Sequence, residues 1–136
     1  MSKSPNRLLG VVFGVFYLLV GVLGFFVSNG GSFFATSGGK IVDLFQVNTF
    51  HNVVHLAIGA VLLIAGLIGA RAARGANITV GALFLLVGIA GLFLVNTSAN
   101  ILAINAADNV LHFGSAVVLL AVGLGADKQL SRVATA

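Results

Sequence analysis

The chain has 136 residues, of which 59% are hydrophobic and 7% charged. A water-soluble domain carries roughly 25% charged residues, so this composition excludes one and points to a single compact membrane unit. The net charge of +4 comes from seven basic residues dispersed over loops and tails, which excludes a nucleic-acid surface, and the absence of cysteine excludes disulfides, thiolate ligands and a cysteine nucleophile.

Four apolar spans follow one another, at about 8–28, 48–70, 78–95 and 105–126. Each has ~18–23 residues, enough at ~1.5 Å per residue to cross ~30 Å of hydrocarbon. They lack the alternation over ~10-residue stretches that barrel strands require. Lys3 and Arg7 precede span one as they would a signal peptide, but the run is long and no small-x-small site follows, so we read it as retained. The expected fold class is an all-α membrane protein, with four transmembrane helices in one bundle over 1–136 and a mobile cytoplasmic tail at 127–136.

Between spans one and two lies a glycine-rich loop from Gly30 to Val47, whose segment Ile41 to Val47 suits the membrane surface. Between spans two and three, Arg71-Ala72-Ala73-Arg74-Gly75 reads as a short basic loop. Basic residues Lys3, Arg7, Arg71, Arg74, Lys128 and Arg132 fall on one side and Lys40 on the other. This asymmetry predicts a multi-pass protein of the cell membrane with both termini cytoplasmic.

The chain also resembles itself. At an offset of 67, Gly14, Gly21, Gly24, Phe26 and Asn29 of span one match Gly81, Gly88, Gly91, Phe93 and Asn96 of span three. At an offset of 57, Asn48, Asn52, His55 and Gly66 match Asn105, Asn109, His112 and Gly123. Polar and glycine identities are informative in so apolar a chain. They predict two parallel helical-hairpin repeats about an axis along the membrane normal.

The repeat places a polar signature at the head of spans two and four. One copy is Asn48-Thr49-Phe50-His51-Asn52-Val53-Val54-His55 and the other Asn105-Ala106-Ala107-Asp108-Asn109-Val110-Leu111-His112. All three histidines of the chain lie here. Asn48 and Asn105 suit helix N-caps, and Asp108 favours a first turn. Offsets of four and seven put Asn48, Asn52 and His55 on one stripe, and Asn105, Asn109 and His112 on another. With Asp108 they form a predicted inward-facing cluster in the outer half of the membrane.

Three readings of the cluster stand beside one another. In a structural lock, small residues and interhelical hydrogen bonds fix the bundle. A divalent metal such as zinc accepts His51, His55, Asp108 and His112 as ligands. A haem b is ligated by His55 and His112 from opposed helices, although no arginine cluster awaits its propionates. A through-channel is disfavoured because spans two and four turn apolar beyond the histidines. Catalysis finds little support, with no carboxylate pair and no recognisable nucleophile arrangement.

The Asn-x-x-His-Asn-x-x-His entry to span two and the Asn-x-x-Asp-Asn-x-x-His entry to span four resemble a family of small bacterial four-helix integral membrane proteins, grouped only as a domain of unknown function. The resemblance covers about Asn6 to Gly125. It implies the same four-span architecture and a cell-membrane location, and no activity. The expected function is a non-enzymatic structural or accessory component whose partners are the lipid bilayer and other membrane-protein subunits. Haem or metal binding, with a redox or sensing role, is the alternative.

Overall fold

The computed structural model describes residues 4–28 and 31–128. Of the expected mobile tail at 127–136, residues 129–136 lie outside them, as do Lys3 and Asn29, while Asp127 is held by hydrogen bonds from Ser4 and Asn6. Four helices are long and apolar enough to cross a membrane: α1 (Pro5–Val27), α2 (Thr49–Ile68), α3 (Ala70–Leu94) and α4 (Ala106–Gly125). Between α1 and α2, strands β1 (Gly39–Ile41) and β2 (Phe45–Val47) pair antiparallel, Lys40 opposite Gln46. The protein is a four-helix membrane bundle with a small β-hairpin at one end.

Two connections differ from expectation. The segment at 41–47 is half of that hairpin, turned at Val42 (φ 47°) and Asp43 (φ 57°), where the Leu44 N–H donates to the Ile41 carbonyl at 3.0 Å. Alternating apolar residues at Ile41, Phe45 and Val47 suit a pleated surface as well as a helix face. Secondly, the expected basic loop at 71–75 is helical. Gly69 alone separates α2 from α3. The run Ala70-Arg71-Ala72-Ala73-Arg74 consists of strong helix formers, so the third helix starts ahead of its apolar stretch.

Packing is inverted relative to a soluble protein. The buried residues of α1 are Asn6, Gly10, Gly14, Tyr17, Gly21 and Gly24, three or four apart on one face. Its large side chains, among them Leu8, Val12, Leu19, Leu23 and Phe26, face outward. Lipid tails are as apolar as leucine, so helices gain by close van der Waals approach and by hydrogen bonds rather than by hiding large side chains. A Cβ on Gly14 would stand 2.5 Å from the Leu63 backbone nitrogen, and one on Gly59 2.6 Å from that of Leu18. These contacts join α1 to α2 as one hairpin, and α3 packs on α4 as a second. Around the centre, Tyr17, Leu62, Val80, Phe84, Ala116 and Leu119 form the apolar core.

The end that carries the chain termini is closed by polar contacts. Arg7 Nε donates to the Gly66 carbonyl at 3.0 Å, and Arg74 Nε to that of Gly123 at 2.8 Å. Helix C-termini leave carbonyls without intrahelical donors, and a guanidinium completes them while complementing the dipole. Fully buried Asn77 donates to the Asn6 backbone and side-chain oxygens at 3.1 and 3.0 Å. Asn6 Nδ2 in turn donates to Asp127 Oδ2 at 3.0 Å, joined there by Ser4 Oγ at 2.8 Å.

Candidate metal centre

At the opposite end, the loop end, the N-caps set the register of the site. Asn48 Oδ1 accepts from the His51 N–H at 2.7 Å, which caps α2 and fixes His51 in its first turn. Asn105 Oδ1 accepts from the Asp108 N–H at 3.0 Å, and Asp108 Oδ2 accepts from the Asn105 N–H at 2.8 Å. This is a complete capping box. The same two asparagines also bind across the bundle. Asn48 Nδ2 donates to the Ile101 carbonyl at 2.7 Å, and Asn105 Nδ2 to the Leu44 carbonyl at 2.8 Å. Each helix start is thereby tied to the connection that precedes the other.

One turn deeper sit Asn52 and Asn109, both buried. Their amide oxygens fill the space that a Cβ on Gly24 or Gly91 would need. Asn52 Nδ2 donates to Ser28 Oγ at 3.3 Å. Both amide oxygens lack a hydrogen-bond donor.

The histidines converge. His51, His55 and His112 are each 2% exposed and offer ligand nitrogens that all lie within 4.8 Å of one another. Ring centres are 4.2 Å apart for His51 and His55, 5.8 Å for His51 and His112, and 6.4 Å for His55 and His112. His51 faces the backbone of Gln46 and Leu102, and its Nδ1 has no partner. His112 Nδ1 is likewise unpartnered, and His55 has no partner at either nitrogen. Buried polar atoms are nearly always hydrogen-bonded, so such a concentration in one place calls for an explanation.

An aromatic frame holds the rings. Tyr17 and Phe84 pack on each other with centres 4.9 Å apart. Tyr17 then lies 5.4 Å from His55, and Phe84 stacks on His112 at 5.4 Å. The Tyr17 hydroxyl shares a 2.6 Å hydrogen bond with Ser115 Oγ. Neither Tyr17 nor Ser115 stood out in the sequence, because Tyr17 aligns with Phe84 in the internal comparison and its hydroxyl has no counterpart there. A lone tyrosine in an apolar helix, at glycine spacing, was the available signal.

All three expected histidine ligands thus come together, and Asp108 does not join them. Its carboxylate completes the capping box and also meets the Gln46 backbone. A first-turn acid three residues after an asparagine cap satisfies orphan N–H groups more directly than a ligand role would.

The residues do not fit haem. The cavity bounded by His51, His55, His112 and Phe84 measures about 120 Å³. Sites for organic ligands run to about 300–1,000 Å³.

They do fit a metal ion. Zinc draws nitrogens to about 2.0–2.1 Å and so to about 3.4 Å from one another, and nitrogens up to 4.8 Å apart need to close by up to ~1.5 Å. A histidine whose second nitrogen meets backbone, as His51 does, is the usual orientation of a ligand. Three protein ligands would leave a fourth position for water or another ligand.

No curated protein and no solved structure matches this chain. The family model described as a domain of unknown function (DUF4383) matches residues 7–125, and the chain belongs to that family.

Proposed function

We propose that this membrane protein is an accessory component that holds one imidazole-preferring transition-metal ion, zinc or copper, on His51, His55 and His112. The supporting observation is the convergence of three buried imidazoles with unpartnered nitrogens. Imidazole donors suit zinc, copper, iron and nickel. Copper heads the affinity order for such a site, and zinc readily takes three imidazoles in tetrahedral geometry.

A structural lock is also present, but it uses other residues. Asn48, Asn105, Arg7, Arg74 and the Asn6–Asn77 pair make directed hydrogen bonds between segments. The histidine layer leaves four buried ring nitrogens unpaired, which a lock has no reason to do. The clustering of Arg7, Arg71, Arg74 and Lys128 at the terminal end, against Lys40 at the loop end, supports cytoplasmic termini and a metal centre in the outer half of the cell membrane.

The test is metal titration of detergent-purified, chelator-stripped protein, read by elemental analysis after dialysis. One equivalent of zinc is expected in the wild type, with at least tenfold weaker retention in His112→Ala and in His51→Ala. A wild type that retains no zinc or copper, or variants that retain a full equivalent, overturns the proposal.

A further inference from the structure

The bundle is not sealed evenly. α1 packs closely on α2, and α3 on α4, whereas α1 and α4 meet sparsely. Along that seam runs an apolar slot. One part, about 590 Å³, lies between Phe13 of α1 and Val110, Gly114 and Val118 of α4. The other, about 300 Å³, lies under the β-hairpin beside Phe16 and Leu19, and it reaches His55 and Asp108. Phe45 and Leu111 line both parts. Phe16, Leu19, Val110 and Val118 are exposed on the membrane-spanning helices, so the slot opens onto lipid.

His55 stands between this slot and the histidine cavity, lining both. It is buried and has no partner at either ring nitrogen. A metal ion takes one of those nitrogens. The other remains for whatever enters from the slot.

The lining restricts the occupant. A long apolar channel calls for a long apolar tail. Among the described residues that line it none is basic, and Asp108 contributes a carboxyl. A fatty-acid carboxylate or a phosphate headgroup would be buried beside an acid with no cation, which burial penalises heavily. An uncharged head can pair with an imidazole N–H, and Phe16 and Phe45 offer flat surfaces for a ring.

We propose that the α1–α4 slot binds an alkyl quinone from the bilayer, its tail lying between Phe13 and Val118 and a ring carbonyl accepting a hydrogen bond from His55. The claim concerns binding, and it stands on the slot whether or not the histidine cavity holds a metal.

The chain has one tyrosine and no tryptophan, so Tyr17 is a single intrinsic probe, bonded to Ser115 on the slot wall. Decyl-benzoquinone titrated into the protein in detergent micelles should quench Tyr17 fluorescence saturably. Gly114→Leu places bulk in the slot, and a Cβ there meets nothing within 4 Å, so the bundle keeps its fold. That variant should bind at least tenfold more weakly. Gly125→Leu, equally unobstructed but outside the slot, should bind as the wild type does. Palmitate should not displace the quinone. Non-saturating quenching, wild-type affinity in Gly114→Leu, or displacement by palmitate overturns the assignment. Loss of zinc retention alone, with quinone binding intact, would count against the metal centre and leave the slot standing.

Discussion

The Tyr17 hydroxyl and Ser115 Oγ lie 2.6 Å apart at the centre of the bundle, joining α1 to α4 across a sparsely packed seam. Hydrogen bonds of this kind between membrane helices contribute ~0.6 kcal/mol on average and up to ~1.7. Tyr17→Phe keeps the ring against Phe84 and His55 and removes only the bond. Its expected cost is therefore about 0.6–1.7 kcal/mol, measured by reversible unfolding in mixed micelles. An unchanged stability would mean that the seam is held by ring packing alone.

Glycines in the hairpins should not be equivalent. Gly14→Ala drives a methyl group into the Leu63 backbone, which moves only if the helices separate. Overpacking of this kind costs about 1–3 kcal/mol. Gly125→Ala meets nothing within 4 Å and should leave stability unchanged or slightly raised. The same unfolding assay ranks the two, and a reversed order would contradict the close approach of α1 and α2.

Asn48 performs two tasks that substitution can separate. Asn48→Ser keeps an N-cap oxygen but loses the amide donors to Ala35 and Ile101. Asn48→Ala loses the cap as well, and should be about 1 kcal/mol worse than Asn48→Ser. Hydrogen exchange at the start of α2 distinguishes them: the Ala variant should fray there, whereas the Ser variant should loosen the loops and keep the helix start.

Val42 adopts a left-handed conformation that a β-branched residue resists by roughly 1–2 kcal/mol. In the three-residue connection Val42–Leu44, Val42 and Asp43 both have positive φ, where asparagine or glycine is favoured. Val42→Asn should raise the protection of the β1–β2 amides against exchange. Lowered protection would mean that the Val42 side chain, rather than the turn, secures the hairpin.

Acid should loosen the terminal end. Partial desolvation would raise the Asp127 carboxyl, but hydrogen bonds from the Asn6 and Ser4 side chains and the Asn6 backbone N–H, with the Arg74 charge, outweigh it and hold the carboxyl below its ordinary value of 3.8. A group depressed on folding contributes stability above its unfolded value, and that contribution disappears as pH falls through the folded value. Stability should therefore drop below about pH 4, and Asp127→Asn should flatten this slope. Identical acid profiles for the two proteins would assign the drop to another group.

The four helices were legible because apolar length in a chain this poor in charge has few other uses. The polar signatures were legible for the same reason, since His51, His55 and His112 stand out against their surroundings. Asn6, Asn77 and Tyr17 were not, although each is fully buried. Asn6 lies beside a terminus, and Asn77 fell in what read as a loop, so neither looked like a residue inside a bundle. Asp108 carried two readings, because its spacing to His112 fits a ligand pair while its spacing to Asn105 fits a first-turn cap. Only the geometry shows which neighbour takes the carboxylate. The β-hairpin was missed because a short apolar run next to a span carries no period of its own.

Arg7 and Arg74 belong to the charge asymmetry from which orientation was read, yet each also closes a hairpin by binding the last carbonyls of the neighbouring helix. The charge pattern from which orientation is inferred and a tertiary contact of each hairpin therefore rest on the same side chains. Lysine at these positions would preserve the insertion signal while losing the planar guanidinium. A chain carrying both replacements should insert in the right direction and then assemble poorly, so that topogenesis and folding, fused in the natural sequence, come apart.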